Sequence, residues 1–229
     1  RLELGVERVA MLVPDTELGR EAALAFRTEL ERLGATLVRE VVFDPNTKDL
    51  TDTMKTLVAF DSLPPKKRKQ SKVKPDFDAL FVPGDAMLIR KLLPSLTSWG
   101  IKPRKVPGDT SRVQLIGTSG WNQPTLIDKG GYLTDNAVFA DVFAPDDPDA
   151  QDFGRRFFLH LQRRPTTFHA ETWDVTRLTL DALAATPRDP ATPATRATIL
   201  ATFRGPRMLV GATGTVEVCR AAACSRAHT

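Results

Sequence analysis

The hydrophobic pattern near the start of the chain predicts a strand, a loop, a helix and a second strand. The apolar run Val9–Val13 is typical of a strand buried on both faces, and Pro14 ends it. A helical apolar pattern continues from Ala22 to Leu33. Thr36–Phe43 is rich in β-branched residues and predicts the second strand. This order is that of one unit of a parallel sheet.

The strand pattern occurs twice more along the chain. Asp78–Val82 and Val113–Ile116 are short apolar runs, and each leads into a loop rich in Gly, Asp, Ser or Thr. Between them, a helix with an apolar face extends to Trp99. Strands that alternate with helices indicate an α/β fold with a doubly wound parallel sheet.

The loops that follow these strands contain the candidate binding residues. The carboxyl ends of parallel strands meet at one edge of such a sheet, where ligands bind. Ordinary turn chemistry also explains small polar residues there. Trp121 favours a functional loop, because an exposed loop seldom carries Trp without something to pack on. The glycine spacing matches neither a dinucleotide fingerprint nor a P-loop. The candidate ligand-binding residues are Asp15, Thr16, Leu18, Gly84, Asp85, Thr118, Ser119 and Trp121.

The sequence offers little for catalysis. Ser119 is a possible nucleophile, but no base lies next to it in the sequence, so a hydrolase is the outlying alternative. His160 is expected at a helix surface. Glu171 and Asp174 are expected in the first turn of a helix, where the macrodipole favours carboxylates. We therefore predict no enzymatic activity, no cofactor and no metal.

The excess positive charge lies mostly in one segment. The chain carries a net charge of +4, and Lys66–Lys74 contains a basic run flanked by prolines. A solvated, mobile insertion that adds nothing to the core is the favoured interpretation. A patch for anionic lipid or envelope polymer is one alternative, and nucleic-acid binding is another. No aromatic residues alternate with the charges, so we predict no nucleic-acid partner.

The last third of the chain carries weaker signals. Pro187–Pro193 is expected to be a linker, and Gly211–Gly214 a tight turn before a short strand. Cys219 and Cys224 could form a small-loop disulfide or remain free thiols, and they are a poor metal pair. Phe153, Phe157 and Leu161 share one helix face at i, i+4 and i+8, and the two aromatic residues are expected in the core.

Several of these segments resemble a known family. Val9–Arg20, Asp76–Gly84 and Leu115–Asn122, in that order, resemble the second lobe of a type I periplasmic binding protein. Within that superfamily, Asp85–Arg90 and Leu115–Pro124 are similar to the penicillin-binding-protein activators of the LppC/LpoA type. The resemblance covers roughly residues 6–218.

The resemblance implies a domain organisation. Residues 1–139 would form the second lobe, with a basic insertion at 62–75. Residues 140–205 would be a crossover segment with helices that belong to an incomplete first lobe, and 206–229 a return strand and tail. The chain would then be the carboxyl-terminal portion of a larger protein whose first-lobe strands are absent here.

The resemblance also implies a function. The expected protein is a periplasmic ligand-binding-type module, specifically an outer-membrane lipoprotein that activates a peptidoglycan synthase by direct contact. Its lipid anchor would lie outside this fragment. The alternative is a solute-binding receptor of an ABC transporter for amino acids or similar small polar ligands. In a receptor, Asp15 or Asp85 would bind the ammonium group, and Thr16, Thr118 and Ser119 the carboxylate. The oligomeric state stays open.

Overall fold

The computed structural model describes residues 5–68, 73–106, 108–123, 125–126, 130–145, 147–185, 196–202 and 207–218. The chain divides into two compact units, unit 1 (Arg1–Ala140) and unit 2 (Asp141–Thr229). The division falls one residue after the boundary expected from the sequence. The assignment of 140–205 to a first lobe stays a prediction. The expected linker Pro187–Pro193 and the cysteines Cys219 and Cys224 lie outside the described residues.

Unit 1 is built on a five-stranded sheet in which every neighbouring pair of strands is parallel. The strand order β2-β1-β3-β4-β5 is that of a doubly wound sheet, which confirms the predicted fold class. The strands are β1 (Arg8–Pro14), β2 (Thr36–Phe43), β3 (Ala79–Phe81), β4 (Gln114–Gly117) and β5 (Val138–Phe139). The helices are α1 (Glu17–Arg32), α2 (Thr51–Leu57) and α3 (Ala86–Ser98).

The two faces of β1 belong to different apolar clusters. Ala10 and Leu12 lie in the large cluster that includes residues of α2 and α3. Met11 and Val13 lie in the cluster with Ala23 of α1. A strand with helices over both faces must be apolar at every position. Val9–Val13 is therefore an uninterrupted run of apolar residues.

The end of the basic segment is part of the core. Val73 is 5% exposed and belongs to the large apolar cluster of unit 1, and Leu63 packs against that cluster. The expectation that Lys66–Lys74 adds nothing to the core is therefore wrong at Val73. A single β-branched apolar residue beside lysines gives no periodic signal, so burial there is set by tertiary packing. Residues 69–72 lie outside the described residues.

Unit 2 contains helices and a hairpin. The helices are α4 (Pro148–Leu161), α5 (Thr167–Ala185) and α6 (Arg196–Thr202), and the antiparallel strands are β6 (Arg207–Gly211) and β7 (Gly214–Val218). The hairpin confirms the predicted turn at Gly211–Gly214. Phe153 is buried and Phe157 packs against the same cluster. Leu161, the last residue of α4, shares that helix face but is 50% exposed.

Asp174 has a different role from the one expected from the sequence. Helix α5 begins at Thr167, so Glu171 and Asp174 lie beyond its first turn. Glu171 is exposed, whereas Asp174 is 2% exposed. Its Oδ1 accepts from the amide of Ala212 at 2.7 Å, and its Oδ2 accepts from the amide and hydroxyl of Thr213 at 2.8 and 2.7 Å. The carboxylate thus fixes the β6–β7 turn against α5.

In the part of the chain that the structure describes, no helix combines the length and the apolar character needed to cross a membrane. Within the same part of the chain, no group of three or more His, Cys, Asp or Glu side chains is arranged to hold a metal ion.

Candidate functional site

Three loops meet at the carboxyl edge of the sheet in unit 1. They follow β1, β3 and β4, which are adjacent parallel strands, so their convergence confirms the prediction made from the sequence. Together with the end of β2 they enclose a cleft of about 570 Å³. The cleft is lined by Pro14, Thr16, Leu18, Gly19, Ala22, Pro45, Pro83, Gly84, Asp85, Leu88, Thr118, Ser119 and Gly120.

The first loop is a tight turn between β1 and α1. The amide of Asp15 donates to the carbonyl of Phe43 at 2.8 Å, which ties the loop to β2. Thr16 is the N-cap of α1, and its hydroxyl accepts from the amide of Gly19 at 3.0 Å. A Cβ on Gly19 would lie 2.3 Å from the carbonyl oxygen of Pro14. Only glycine therefore lets the first turn of α1 lie so close to the end of β1.

The second and third loops are in direct backbone contact. Asp85 is the N-cap of α3 and its Oδ1 accepts from the amide of Leu88 at 2.9 Å. A Cβ on Gly120 would lie 2.3 Å from the carbonyl oxygen of Gly84. The amide of Gly84 is also 3.5 Å from the hydroxyl of Thr118. These contacts hold the two loops together as one wall of the cleft.

Trp121 supports the third loop from inside the core. Its side chain is 2% exposed, and its indole Nε1 donates to the carbonyl oxygen of Val82 at 2.9 Å. A Cβ on Gly117 would lie 2.3 Å from the indole ring, so the ring lies directly on the backbone of β4. The prediction from the sequence places Trp121 in an exposed loop and therefore treats it as a sign of function. This premise is wrong, because the ring is buried. Trp121 positions the loop instead of presenting a surface to a ligand.

The structure brings six of the eight candidate residues to the cleft wall. Thr16, Leu18, Gly84, Asp85, Thr118 and Ser119 line it, and Asp15 and Trp121 do not. The carboxylate of Asp15 forms an ion pair with Arg20 on the exposed side of α1. Whether the six residues bind a ligand stays a prediction.

Several apolar lining residues were not predicted from the sequence. Ala22 and Leu88 lie on α1 and α3, and Pro45 and Pro83 follow β2 and β3. The position of Pro45 could have been anticipated, since β2 is parallel to β1 and ends at the same edge. Ala22 and Leu88 had only a core-type helical pattern, which does not distinguish a cleft wall from a core.

The cleft has a polar end and an apolar wall. Helices α1 and α3 both begin at it, so the unpaired amides of their first turns and the positive ends of their dipoles lie at its edge. Among the described residues that line the cleft, Asp85 is the single carboxylate, and Thr16, Thr118 and Ser119 add hydroxyl groups. The rest of the lining is aliphatic, proline or glycine. Such a cleft can hold a small molecule with a charged end and an apolar body.

The sequence also matches the model of a known family. The family model described as periplasmic binding protein matches residues 2–222. The chain therefore belongs to the periplasmic binding protein family. No curated protein matches it significantly.

Solved structures share the fold at low sequence identity. A leucine-binding protein of Thermotoga maritima superposes with a TM-score of 0.67 at 20% identity, covering 92% of this chain and 53% of that protein. A branched-chain amino acid binding protein of Streptococcus pneumoniae in complex with isoleucine gives 0.65 at 18% identity, with coverages of 93% and 53%. A solute-binding protein of Rhodopseudomonas palustris in complex with 3,4-dihydroxybenzoic acid gives 0.61 at 17%, with coverages of 92% and 51%. The chain thus spans about half the length of these proteins.

Proposed function

We propose that this chain is the ligand-binding part of a periplasmic solute receptor of the ABC-transporter type, with no catalytic activity. The observation that carries the proposal is the cleft of about 570 Å³ at the carboxyl edge of the sheet. Membership of the periplasmic binding protein family supports a periplasmic location. The names of the similar structures, which include receptors for leucine and other small solutes, support a small-molecule partner.

The polar end of the cleft favours a carboxylate. Thr16 and Asp85 each cap the third amide of a helix, which leaves the first two amides of α1 and α3 without helical acceptors. Amides at a helix N-terminus hydrogen-bond anions, and the helix dipole adds to the attraction. The hydroxyl of Ser119 lies on the same wall and can donate to a carboxylate oxygen.

Asp85 favours an ammonium group on the same ligand. It lines the cleft and lies exposed at its edge, whereas Asp15 is paired with Arg20. The structure therefore favours Asp85 over Asp15 as the ammonium-binding carboxylate. The aliphatic wall made by Leu18, Ala22 and Leu88 suits an apolar side chain. An amino acid with an aliphatic or aromatic side chain is the ligand class that fits all three features.

A titration followed by amide chemical shifts tests this proposal. Leucine, isoleucine and 3,4-dihydroxybenzoate, each added to about 10 mM, should shift the NMR signals of the amides of Gly84, Ser119 and Gly120. At such concentrations NMR detects a binding free energy as weak as about −4 kcal/mol. Asp85→Asn should weaken binding of the amino acids more than tenfold, since the charge-assisted bond to the ammonium is lost. Asp61→Asn removes an exposed carboxylate outside the cleft and is the matched control. The absence of any shift at the three amides would reject the receptor function.

An activator of peptidoglycan synthase is the second candidate. The observation that favours it is the resemblance of Asp85–Arg90 and Leu115–Pro124 to the activators. It would imply an outer-membrane lipoprotein that contacts a penicillin-binding protein. The same segments also serve the fold, because Asp85 caps α3 and Trp121 is buried in the core. Faster glycan polymerisation by a purified synthase on addition of the chain, unchanged by Asp85→Asn, would favour the activator over the receptor.

A further inference from the structure

A basic surface lies on unit 1 at the edge of the sheet opposite the ligand cleft. Helix α3 starts at the carboxyl edge and ends at Ser98, so the turn that follows it lies at the amino edge. Two neighbouring clefts open there, of about 270 and 230 Å³, and both are lined by Lys102 and Arg112. Lys74 lines the first cleft and Lys105 the second. No acidic side chain is among the described residues that line either one.

Close packing of two backbone segments fixes the position of Lys74. Gly100 has φ +80°, and a Cβ on it would lie 2.1 Å from the carbonyl oxygen of Val73. Val73 is itself buried in the core. The backbone that carries Lys74 is therefore held directly against the turn that leads into Lys102.

Arg112 is held between the two clefts by its own contacts. Its Nε lies 3.3 Å from Oδ2 of Asp109, and its Nη1 donates to the carbonyl of Pro103 at 3.5 Å. The amide of Val113 donates to the carbonyl of Lys102 at 2.9 Å, so the segments that carry Lys102 and Arg112 lie side by side. A guanidinium held this way loses little conformational entropy when it binds an anion.

The charge around the two clefts is unbalanced. Arg104 is 3% exposed and lies behind Arg112, with its Nε 3.5 Å from the Arg112 carbonyl oxygen. Asp109 is already engaged: the Ser111 hydroxyl bond lowers its pKa, and Arg112 and Arg104 contribute to the same shift. Among the described residues, the ammonium groups of Lys74 and Lys102 have no hydrogen-bond or ion-pair partner. These two cations are available for a ligand.

We propose that this basic surface, formed by Lys74, Lys102, Lys105, Ser111 and Arg112, binds a phosphate-bearing anion. Lysine ammonium groups and an arginine fork are the side chains that recognise phosphate oxygens. Each cleft has room for one phosphate group, and the two clefts share Lys102 and Arg112. This geometry suits two neighbouring phosphate groups. They could come from a free polyphosphate-type anion or from anionic lipid headgroups, which present the same chemistry.

Two binding assays on the whole chain separate these sources. Titration with pyrophosphate measures binding of a free anion by calorimetry. Sedimentation with phosphatidylglycerol vesicles, compared with phosphatidylcholine vesicles, measures headgroup binding. The salt concentration of about 0.15 M largely screens long-range attraction between charges. We expect Lys102→Gln to weaken binding about tenfold, since Lys102 lines both clefts and its charge-assisted bonds are lost. Lys48→Gln changes the net charge equally at an exposed position outside both clefts. It should change affinity less than twofold.

Each outcome decides between the alternatives. Binding to pyrophosphate alone supports the free anion as the source, and binding to phosphatidylglycerol vesicles supports the headgroup. In both cases Lys102→Gln must weaken the binding that is observed. No binding in either assay overturns the proposal. An equal loss in Lys102→Gln and Lys48→Gln also overturns it, because the attraction would then be non-specific. None of the residues of the basic surface lines the ligand cleft, so failure here is distinguishable from failure of the receptor function.

Discussion

Replacement of Asp174 by alanine should destabilise the hairpin of unit 2 more than any single change on the exposed faces of α5. The side chain is 2% exposed and accepts three hydrogen bonds from Ala212 and Thr213. Truncation leaves the buried amide of Ala212 without an acceptor, which costs about 1–3 kcal/mol, and removes charge-assisted bonds worth about as much. Relief of the buried charge offsets part of this loss. We expect a net loss of roughly 3 kcal/mol in the free energy of hairpin opening.

Asp174→Asn separates the charge from the shape. An asparagine keeps one acceptor oxygen, but its amide nitrogen would face a donor, either Ala212 or Thr213. The free energy of hairpin opening in Asp174→Asn should therefore lie between the values for wild type and Asp174→Ala. Asp181→Ala is the matched control, because Asp181 is an exposed carboxylate on the same helix. It should change the opening free energy by less than about 0.5 kcal/mol.

Amide hydrogen exchange measures this opening directly. A loss of roughly 3 kcal/mol should accelerate exchange at Ala212 and Thr213 by about a hundredfold. The Asp174→Asn variant should give an intermediate acceleration, and Asp181→Ala none. Equal exchange rates in wild type and Asp174→Ala would refute the reasoning, because the carboxylate would then contribute nothing to the hairpin. The same acceleration in Asp181→Ala would refute it as well, since any charge on α5 would then have the same effect.

Two further substitutions test the core and the pH dependence of unit 1. Trp121→Phe should lower the free energy of unfolding by about 2 kcal/mol in urea titration, because the Val82 carbonyl loses its donor and the smaller ring leaves a cavity; an unchanged midpoint would contradict this. The side-chain hydrogen bond from Arg39 lowers the pKa of Asp76 below its ordinary value of 3.8. The pair between Asp76 and Arg39 therefore stabilises the fold fully above pH 3.8, and this stabilisation is lost as the pH falls through the lowered pKa. Asp76→Asn should therefore cost about 0.5–1 kcal/mol near neutral pH, the scale of a half-exposed pair, and progressively less in acid; a difference that stays constant down to pH 2 would contradict the assignment.

The parallel sheet and the position of its cleft could be predicted from the sequence because both follow from local patterns. The run Val9–Val13 is apolar at every position since helices cover both faces of β1. Once three strands are parallel, their following loops must meet at one edge. The N-caps Thr16 and Asp85 are local features as well, because capping involves residues three positions apart.

The residues that were misjudged depend on contacts far along the chain. Asp174 bonds to residues 38 and 39 positions away, and Trp121 bonds to a carbonyl 39 positions away. Neither distance leaves a periodic signal. The start of α5 was also misplaced, because the helix begins before the acidic residues that resemble a first turn. Thr166 precedes it and exchanges hydrogen bonds with His169, a pairing that propensity alone does not indicate.

Close approaches at glycines build both proposed binding surfaces of unit 1. Gly120 brings the third loop onto Gly84 at the carboxyl edge, and Gly100 brings the turn after α3 onto Val73 at the amino edge. In each case a side chain on the glycine would collide with backbone, so the contact depends on the absence of a Cβ. Helix α3 runs between the two places, with its N-cap Asp85 at one edge and Gly100 just beyond its last residue. The two edges can therefore carry separate chemistry, an amphiphilic cleft and a cationic surface, without sharing a single lining residue.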